Sequence, residues 1–375
     1  MTSTTWTIPE HTRAKHLLLQ GYLKAWYPIL GQSHTRVIFL DGFAGPGVYE
    51  NGEWGSPLIA IDTLVRHNYF PQLSSTEFVF IFVEAEESRC NNLKDEIDGY
   101  WKSNEGRPHN VVVKIIHGAF AEVASRIAEI GPGRLAPTLA FVDPFGWSGV
   151  PINIIADLLA SDKCEVIFNF MFDHVNRFVN DRRPGIAHSF EELFGTTNSE
   201  HRHVSSLSGE KRKAFLRDLY ASQLRDIANF TYVRPFEILN VDRHRTEYYL
   251  MFGTRDVKGL KAMKDAMWDI DPINGIRFSG FAGNQSMLFE PSVDLSALRR
   301  ALFDEFGSRT ASVDEINEFV VVHTDYKESH YKRVLRSLEE ESLIRCLSSR
   351  KIVRTYPSGT VLEFLNAPER PPLFA

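Results

Sequence analysis

Cysteine is scarce in this chain, and its placing excludes several chemistries. Cys90, Cys164 and Cys346 are the only three in 375 residues, lie far apart, and form no CxxC pair. Scattered and odd in number, they give no disulfide framework and no zinc or iron–sulfur site of the chain's own, and they fit reduced thiols in a cytoplasmic protein. Long apolar runs are also missing: none approaches the roughly 20 residues a membrane helix requires, so no membrane is expected. Met1–Glu10 lack both the basic start and the apolar stretch of a secretion signal. Positive charge is not in excess. The net charge of −6 gives no global attraction to nucleic acid, so such binding would rest on a local basic patch. No HExxH, Walker A or Ser–His–Asp spacing occurs, and His201 and His203 have no cysteine or further histidine nearby, so no metal site is expected.

What is present is ordinary soluble-protein material: 43% hydrophobic and 24% charged residues, with 27 phenylalanines spread as core. The length predicts one large domain and a smaller one. Residues 12–30 carry Leu17, Leu18, Tyr22, Leu23, Trp26 and Ile29 at helical spacing, with Pro28 and Gly31 closing the helix. Arg36 to Leu40 is a short apolar run that ends in Asp41 and glycines, as a central parallel strand entering a tight turn does. Four similar runs follow at 78–83, 111–116, 139–142 and 166–170, with helical spacing between them at 88–100 and 120–130. Strands alternating with helices predict an α/β fold, a parallel sheet with helices on both faces. The polar stretch 181–213 reads as an insertion or lid, 247–253 as a sixth strand, 259–268 as a helix and 285–290 as a last strand. The boundary falls at Pro291-Ser292, giving domains 1–292 and 293–375. In the second, three helical stretches (294–306, 312–322, 328–341) and a hairpin around Pro357-Ser358-Gly359, formed by 343–345 and 352–365, predict a winged-helix-like domain.

The loop Asp41-Gly42-Phe43-Ala44-Gly45-Pro46-Gly47 carries the strongest chemical signal. Glycines 45 and 47 let the backbone pass close to a ligand in conformations barred to other residues, and the helix after them can aim amides at it. The spacing is not the GxGxxG of a dinucleotide site, which disfavours a nicotinamide dehydrogenase. Asp-x-Phe-x-Gly-x-Gly is similar to the loop of class I methyltransferases that modify amino groups, where acid and loop hold the methionine part of S-adenosylmethionine. A plain tight turn is the alternative. Glu84 closes the run 78–83, where a carboxylate can accept both ribose hydroxyls of an adenosine, or simply end a strand.

Asp143-Pro144-Phe145-Gly146 ends the fourth strand. Methyltransferases acting on nucleobase amines carry Asp/Asn-Pro-Pro-Tyr/Phe there, the acid and first proline carbonyl accepting from the amine while the ring stacks on the base, worth about 1–3 kcal/mol. The chain keeps the acid, one proline and an aromatic. Lys15-His16 start the first helix; His16 either titrates near neutrality or sits on a solvated face. Residues 323–354 hold Lys327, Lys332, Arg333, Arg336, Arg345, Arg350, Lys351 and Arg354 against five acids, with Tyr326, His330 and Tyr331 near the start of a possible recognition helix. Such a helix can track phosphates or dock on protein, and Glu339-Glu340-Glu341 weigh toward the latter.

Together Lys15-His16 with Tyr22-Leu23 and Trp26, the run from Asp41 to Tyr49, Gly55-Ser56-Pro57, Asp143-Pro144-Phe145-Gly146, Tyr248-Tyr249-Leu250, Thr254-Arg255, Gly259-Leu260, Met263-Lys264 and Met267-Trp268 resemble the three-Cys-motif partner family of prokaryotes, across most of 12–290. That resemblance implies a Rossmann-like class I methyltransferase sheet and a partner bearing a three-cysteine motif, similar to radical-S-adenosylmethionine proteins. The chain also resembles, more weakly, ribosomal-RNA adenine-N6 methyltransferases. Carried over, Lys15, His16, Asp41, Gly45, Gly47 and Asp143 would belong to the site, while Phe145 stands in place of the second proline and Ala119 where an adenine-contacting Asp is frequent. Two functions are expected: an S-adenosylmethionine-dependent methyltransferase acting on nucleic acid, or a non-catalytic adaptor of that fold that binds the partner, nucleic acid, or both.

Overall fold

A computed structural model of the chain describes residues 9–129, 131, 135–181, 183–196, 204, 206–240, 243, 245–280 and 293–365. The chain divides into two compact units, Met1–Ile270 with Ile276–Gln285, and Asp271–Gly275 with Ser286–Ala375.

The first unit is built on eight strands: β1 (Arg36–Asp41), β2 (Glu77–Glu84), β3 (Val111–His117), β4 (Thr138–Val142), β5 (Cys164–Phe170), β6 (Tyr232–Asn240), β7 (Arg245–Thr254) and β8 (Arg277–Phe278). They form one sheet in the order β3-β2-β1-β4-β5-β7-β6-β8. All neighbours run parallel except β7, which is antiparallel to both β5 and β6. Side chains alternate across a strand, so Val37 and Phe39 of β1 enter one core while Leu40 enters the other. Of the nine helices described in this unit, α1 (Glu10–Gly31), α2 (Ser56–Val65), α3 (Glu87–Ser103) and α9 (Val257–Ile270) feed the first core. The second receives α4 (Phe120–Ala128), α5 (Ile152–Leu158), α6 (Phe172–Phe178), α7 (Pro184–Phe194) and α8 (Gly209–Asp226). The expected α/β sheet covered on both faces is therefore the observed one.

The first five strands lie where the apolar runs put them. Strand β6 escapes the pattern because Arg234, Pro235 and Glu237 interrupt it, so the stretch around 247–253 is the seventh strand and not the sixth. Pro28 does not close α1; it sits in a last turn that runs on to Gly31. The polar stretch 181–213 contributes α7, whose Phe190, Leu193 and Phe194 are buried in the second core. The strand expected at 285–290, the boundary at 291–292 and both His201 and His203 lie outside the described residues.

In the second unit α10 (Ser296–Phe306), α11 (Val313–His323) and α12 (Glu328–Glu340) enclose a core with Leu298, Ile316, Leu335 and Phe364. Helix α11 starts in a capping box: Ser312 Oγ accepts from the Glu315 amide at 3.1 Å, and Glu315 accepts from the Ser312 amide at 2.7 Å. The strands β9 (Thr310–Ser312), β10 (Ile344–Cys346) and β11 (Val361–Phe364) pair antiparallel in the order β10-β11-β9. The second hairpin strand begins at Val361 rather than at 352, leaving 347–360 as the wing between β10 and β11.

Tyr220 on α8 stacks on Phe170 at 4.8 Å between ring centroids, and its hydroxyl is buried without a hydrogen-bond partner among the described residues. An orphaned buried hydroxyl costs about 1–3 kcal/mol. Tyr220→Phe should therefore raise stability by about 1 kcal/mol in thermal unfolding, and a loss of stability would show that the hydroxyl has a partner.

Candidate functional site

Strands β1, β2 and β3 step toward one edge of the sheet and β4 and β5 toward the other, so the chain diverges between β1 and β4. Ligands of open α/β sheets bind beyond the carboxyl ends of the strands at such a point. An open cavity of about 230 Å³ lies there. Its walls include Lys15 and His16 of α1, then Phe43, Ala44, Gly45 and Gly47 of the loop after β1. Asp143, Pro144 and Phe145 after β4 complete the set. Of the residues singled out in the sequence, Asp41, Gly42, Glu84 and Ala119 are not among the walls.

Each of those four has another place. Asp41 lies fully buried at the end of β1, its Oδ1 accepting from the Phe43 amide at 3.1 Å and its Oδ2 buried without a hydrogen-bond partner among the described residues. Gly42 leaves room for Phe120, whose ring would stand 2.6 Å from a Cβ there. Glu84, at the end of β2, accepts from the Gly45 amide and from the Glu86 amide, both at 2.9 Å, and so straps the loop. Ala119 is the exposed residue that precedes α4. The strap matters because Gly45 and Gly47 both hold positive φ, +64° and +89°, which side chains disfavour. A Cβ on Gly47 would meet Leu93 at 2.9 Å, whereas one on Gly45 would meet nothing within 4 Å. The loop's open side is thus at Gly45.

The floor is charged. Lys15 Nζ forms a short ion pair with Asp143 Oδ2 and lies 5.6 Å from the centre of the Tyr248 ring. Asp143 Oδ1 accepts from Asn169 Nδ2 at 2.6 Å. His16 is buried, and burial with the neighbouring Lys15 ammonium lowers its pKa to about 3. Neither sequence reading of His16 holds: it is not on a solvated face, and it does not titrate near neutrality. Burial raises the Asp41 pKa to about 7, with the nearby Ser56 hydroxyl and the Phe43 amide pulling the other way.

Two functional positions escaped the motif reading. Asn169 and Tyr248 line the cavity from β5 and β7. Asn169 is buried with Oδ1 lacking a partner, and Tyr248 donates its hydroxyl to the His11 carbonyl at 2.7 Å. The only signal for Asn169 is a lone amide inside the apolar run Ile167-Phe168-Asn169-Phe170.

In the second unit most of the basic residues are neutralised locally. Lys332 pairs with Glu328, Arg345 with Glu363, Arg350 with Glu339 and Arg354 with Glu340. Arg333 and Arg336, one turn apart on α12, are exposed and make no ion pair among the described residues. Ile352 and Val353 are exposed on the wing.

An acid whose folded pKa lies above its ordinary 3.8 binds more protons folded than unfolded, so it withdraws stability as pH rises from about 4 to 7. Asp41→Asn removes that term. The melting temperature of the variant relative to wild type should climb across that window and level off above it; a difference independent of pH would show Asp41 ionising normally.

Residues 277–350 match the GMT-like wHTH domain family. No curated protein is matched by the chain. Among solved structures, similarity extends to a Legionella pneumophila protein of the DUF519 family, at 14% identity and a TM-score of 0.38 over 66% of this chain and 85% of that one. Human methyltransferase-like protein 13, solved in complex with SAH, is similar at 14% identity and 0.31 over 69% and 92%. The plantazolicin methyltransferase BpumL, also in complex with SAH, is similar at 10% and 0.29 over 65% and 86%. The chain thus combines a mainly parallel, Rossmann-like sheet with a C-terminal winged helix-turn-helix domain.

Proposed function

We propose that the chain is an S-adenosylmethionine-dependent methyltransferase acting on an amino group of nucleic acid. The observation that carries this reading is the meeting of the Gly45 loop with Asp143 in one cavity at the point where the sheet's connections diverge. The residues fit the cofactor: open space beside Gly45, where a Cβ would touch nothing, and an unpartnered Asp41 Oδ2 behind the loop. Lys15, His16, Asp41, Gly42, Phe43, Ala44, Gly45 and Gly47 would hold its methionine part, and Glu84 and Ala119 its adenosine. When bound, S-adenosylmethionine supplies a methyl group activated by a sulfonium. Asp143 orients the acceptor amine and takes its proton after transfer; an amine already carries its lone pair, so no prior deprotonation is needed, and positioning does most of the work. Pro144 offers a backbone carbonyl to the same amine, and Phe145, 63% exposed at the mouth, offers a ring for stacking.

The family resemblance adds a partner, a three-Cys-motif protein similar to radical-S-adenosylmethionine proteins, and the winged domain adds a nucleic-acid contact through Arg333 and Arg336. A second reading, a non-catalytic adaptor, is favoured by one observation: both oxygens of Asp143 are already engaged, by Lys15 and by Asn169.

Calorimetry with S-adenosylmethionine and methyl incorporation into RNA and DNA separate the two. Asp41→Ala should abolish cofactor binding. Asp143→Ala, with Asp143→Asn as the shape-preserving companion, should keep binding and lose transfer. Full activity in both Asp143 variants would remove that residue from the mechanism, and a wild type that binds cofactor but transfers nothing would leave the adaptor.

A further inference from the structure

A second cavity, of about 430 Å³, draws on residues next to those of the first on β7 and after β5. The walls of the two meet along the chain, where residues lining one are followed directly by residues lining the other. Met171 lines the first and Phe172 the second; Tyr248 lines the first and Thr246 the second. Two residues of strand span about 7 Å, so the cavities are neighbours.

The second is lined by Arg212 and Lys213 from the first turn of α8, Arg245 from β7 and Arg277 from β8. Among them stand three carboxylates, Asp173, Glu210 and Glu237, of which Glu210 pairs with Lys213 at 2.8 Å, in a chain whose overall charge is −6. Glu237 is buried at the floor, where it accepts from Thr246 Oγ1 and Lys213 Nζ and pairs with Arg277 at 2.9 Å. It fixes two of the cations. A purely structural network would stop there. Arg212 and Arg245 lie outside it: Arg212 donates Nε to the Leu207 carbonyl at 2.8 Å and makes no ion pair among the described residues, and Arg245 reaches Asp173 through a single Nη at 3.0 Å. A guanidinium carries five N–H donors in a fork that matches phosphate oxygens, so both keep donors in hand.

We propose that this cleft holds a backbone phosphate of the nucleic acid whose base enters the neighbouring cavity. The proposal rests on the methyltransferase reading for the identity of the polymer, and places its grip on the sheet-bearing unit, separate from the winged domain.

The test uses the full chain and the double variant Arg212→Gln/Arg245→Gln, which leaves Glu237 and its partners intact. Fluorescence anisotropy with short single-stranded RNA and DNA should show affinity at least tenfold lower. The slope of log affinity against log salt should be shallower by about 1.4, at roughly 0.7 per cation lost on a single strand. The melting temperature and the calorimetric affinity for S-adenosylhomocysteine should stay at wild-type values. Unchanged oligonucleotide affinity and slope in this variant overturn the proposal, as does a wild type that binds no oligonucleotide. Equally tight calorimetric binding of inorganic phosphate alone also overturns it, by making the cleft a small-anion site. Wild type that binds oligonucleotide but not S-adenosylhomocysteine would defeat the cofactor reading and leave the phosphate site standing.

Discussion

The ion pair between Lys15 and Asp143 joins residues 128 apart and ties the start of α1 to the end of β4, and the charged floor of the cavity is built around it. Each partner loses several kcal/mol of hydration on burial, which only close pairing and further hydrogen bonds offset. Asn169 supplies one such bond to the carboxylate, and the Tyr248 ring faces the ammonium. The carboxylate is thereby fixed in direction, and α1 is held across the point where the sheet's connections diverge, with its His11 carbonyl anchored by the Tyr248 hydroxyl. Burial, with the same cation next door, lowers the His16 pKa to about 3.

Glu84 adds a second constraint of a different kind. One of its two backbone hydrogen bonds holds Gly45, and through it a loop that carries two residues at positive φ, while the other, from the Glu86 amide, fixes the carboxylate itself. A carboxylate has about four lone-pair sites, so accepting two amides leaves it able to accept again. A strand-end acid can thus position the loop and remain a candidate for ribose hydroxyls. Asp41 is the counterpart below: a buried acid whose pKa burial raises to about 7 and whose Oδ2 accepts no hydrogen bond of normal geometry among the described residues.

The sheet was legible because central parallel strands are buried on both faces and read as continuous apolar runs, as Phe78 to Val83 does. Strand β6 was not, since a strand toward the sheet's edge tolerates Pro235 and places Glu237 against cations contributed by α8 and β8, from elsewhere in the sequence. Within the site, residues tied to a local motif were visible: the glycines at 45 and 47 and the acid at 143. Residues that act through a tertiary contact were not. Nothing around Asn169 foretells that it meets Asp143, and the burial of Lys15 and His16 depends on what α1 packs against, not on their own spacing.

Net charge, finally, is a poor guide to how this chain would meet a polyanion. At −6 the whole molecule repels nucleic acid at a distance, but that field is screened beyond about 10 Å at 0.1 M salt. What remains is contact chemistry, and there the distribution matters more than the sum. On α12 and the wing, acids pair with three of the six cations and leave Arg333, Arg336 and Lys351 without an ion pair among the described residues. In the cleft beside the reactive cavity, a buried Glu237 organises its cations without neutralising Arg212 or Arg245. On the proposed function, an acidic protein built this way gains little from long-range steering and would hold a nucleic acid only where arginine forks touch phosphate. Its association would then be slow compared with that of a basic protein.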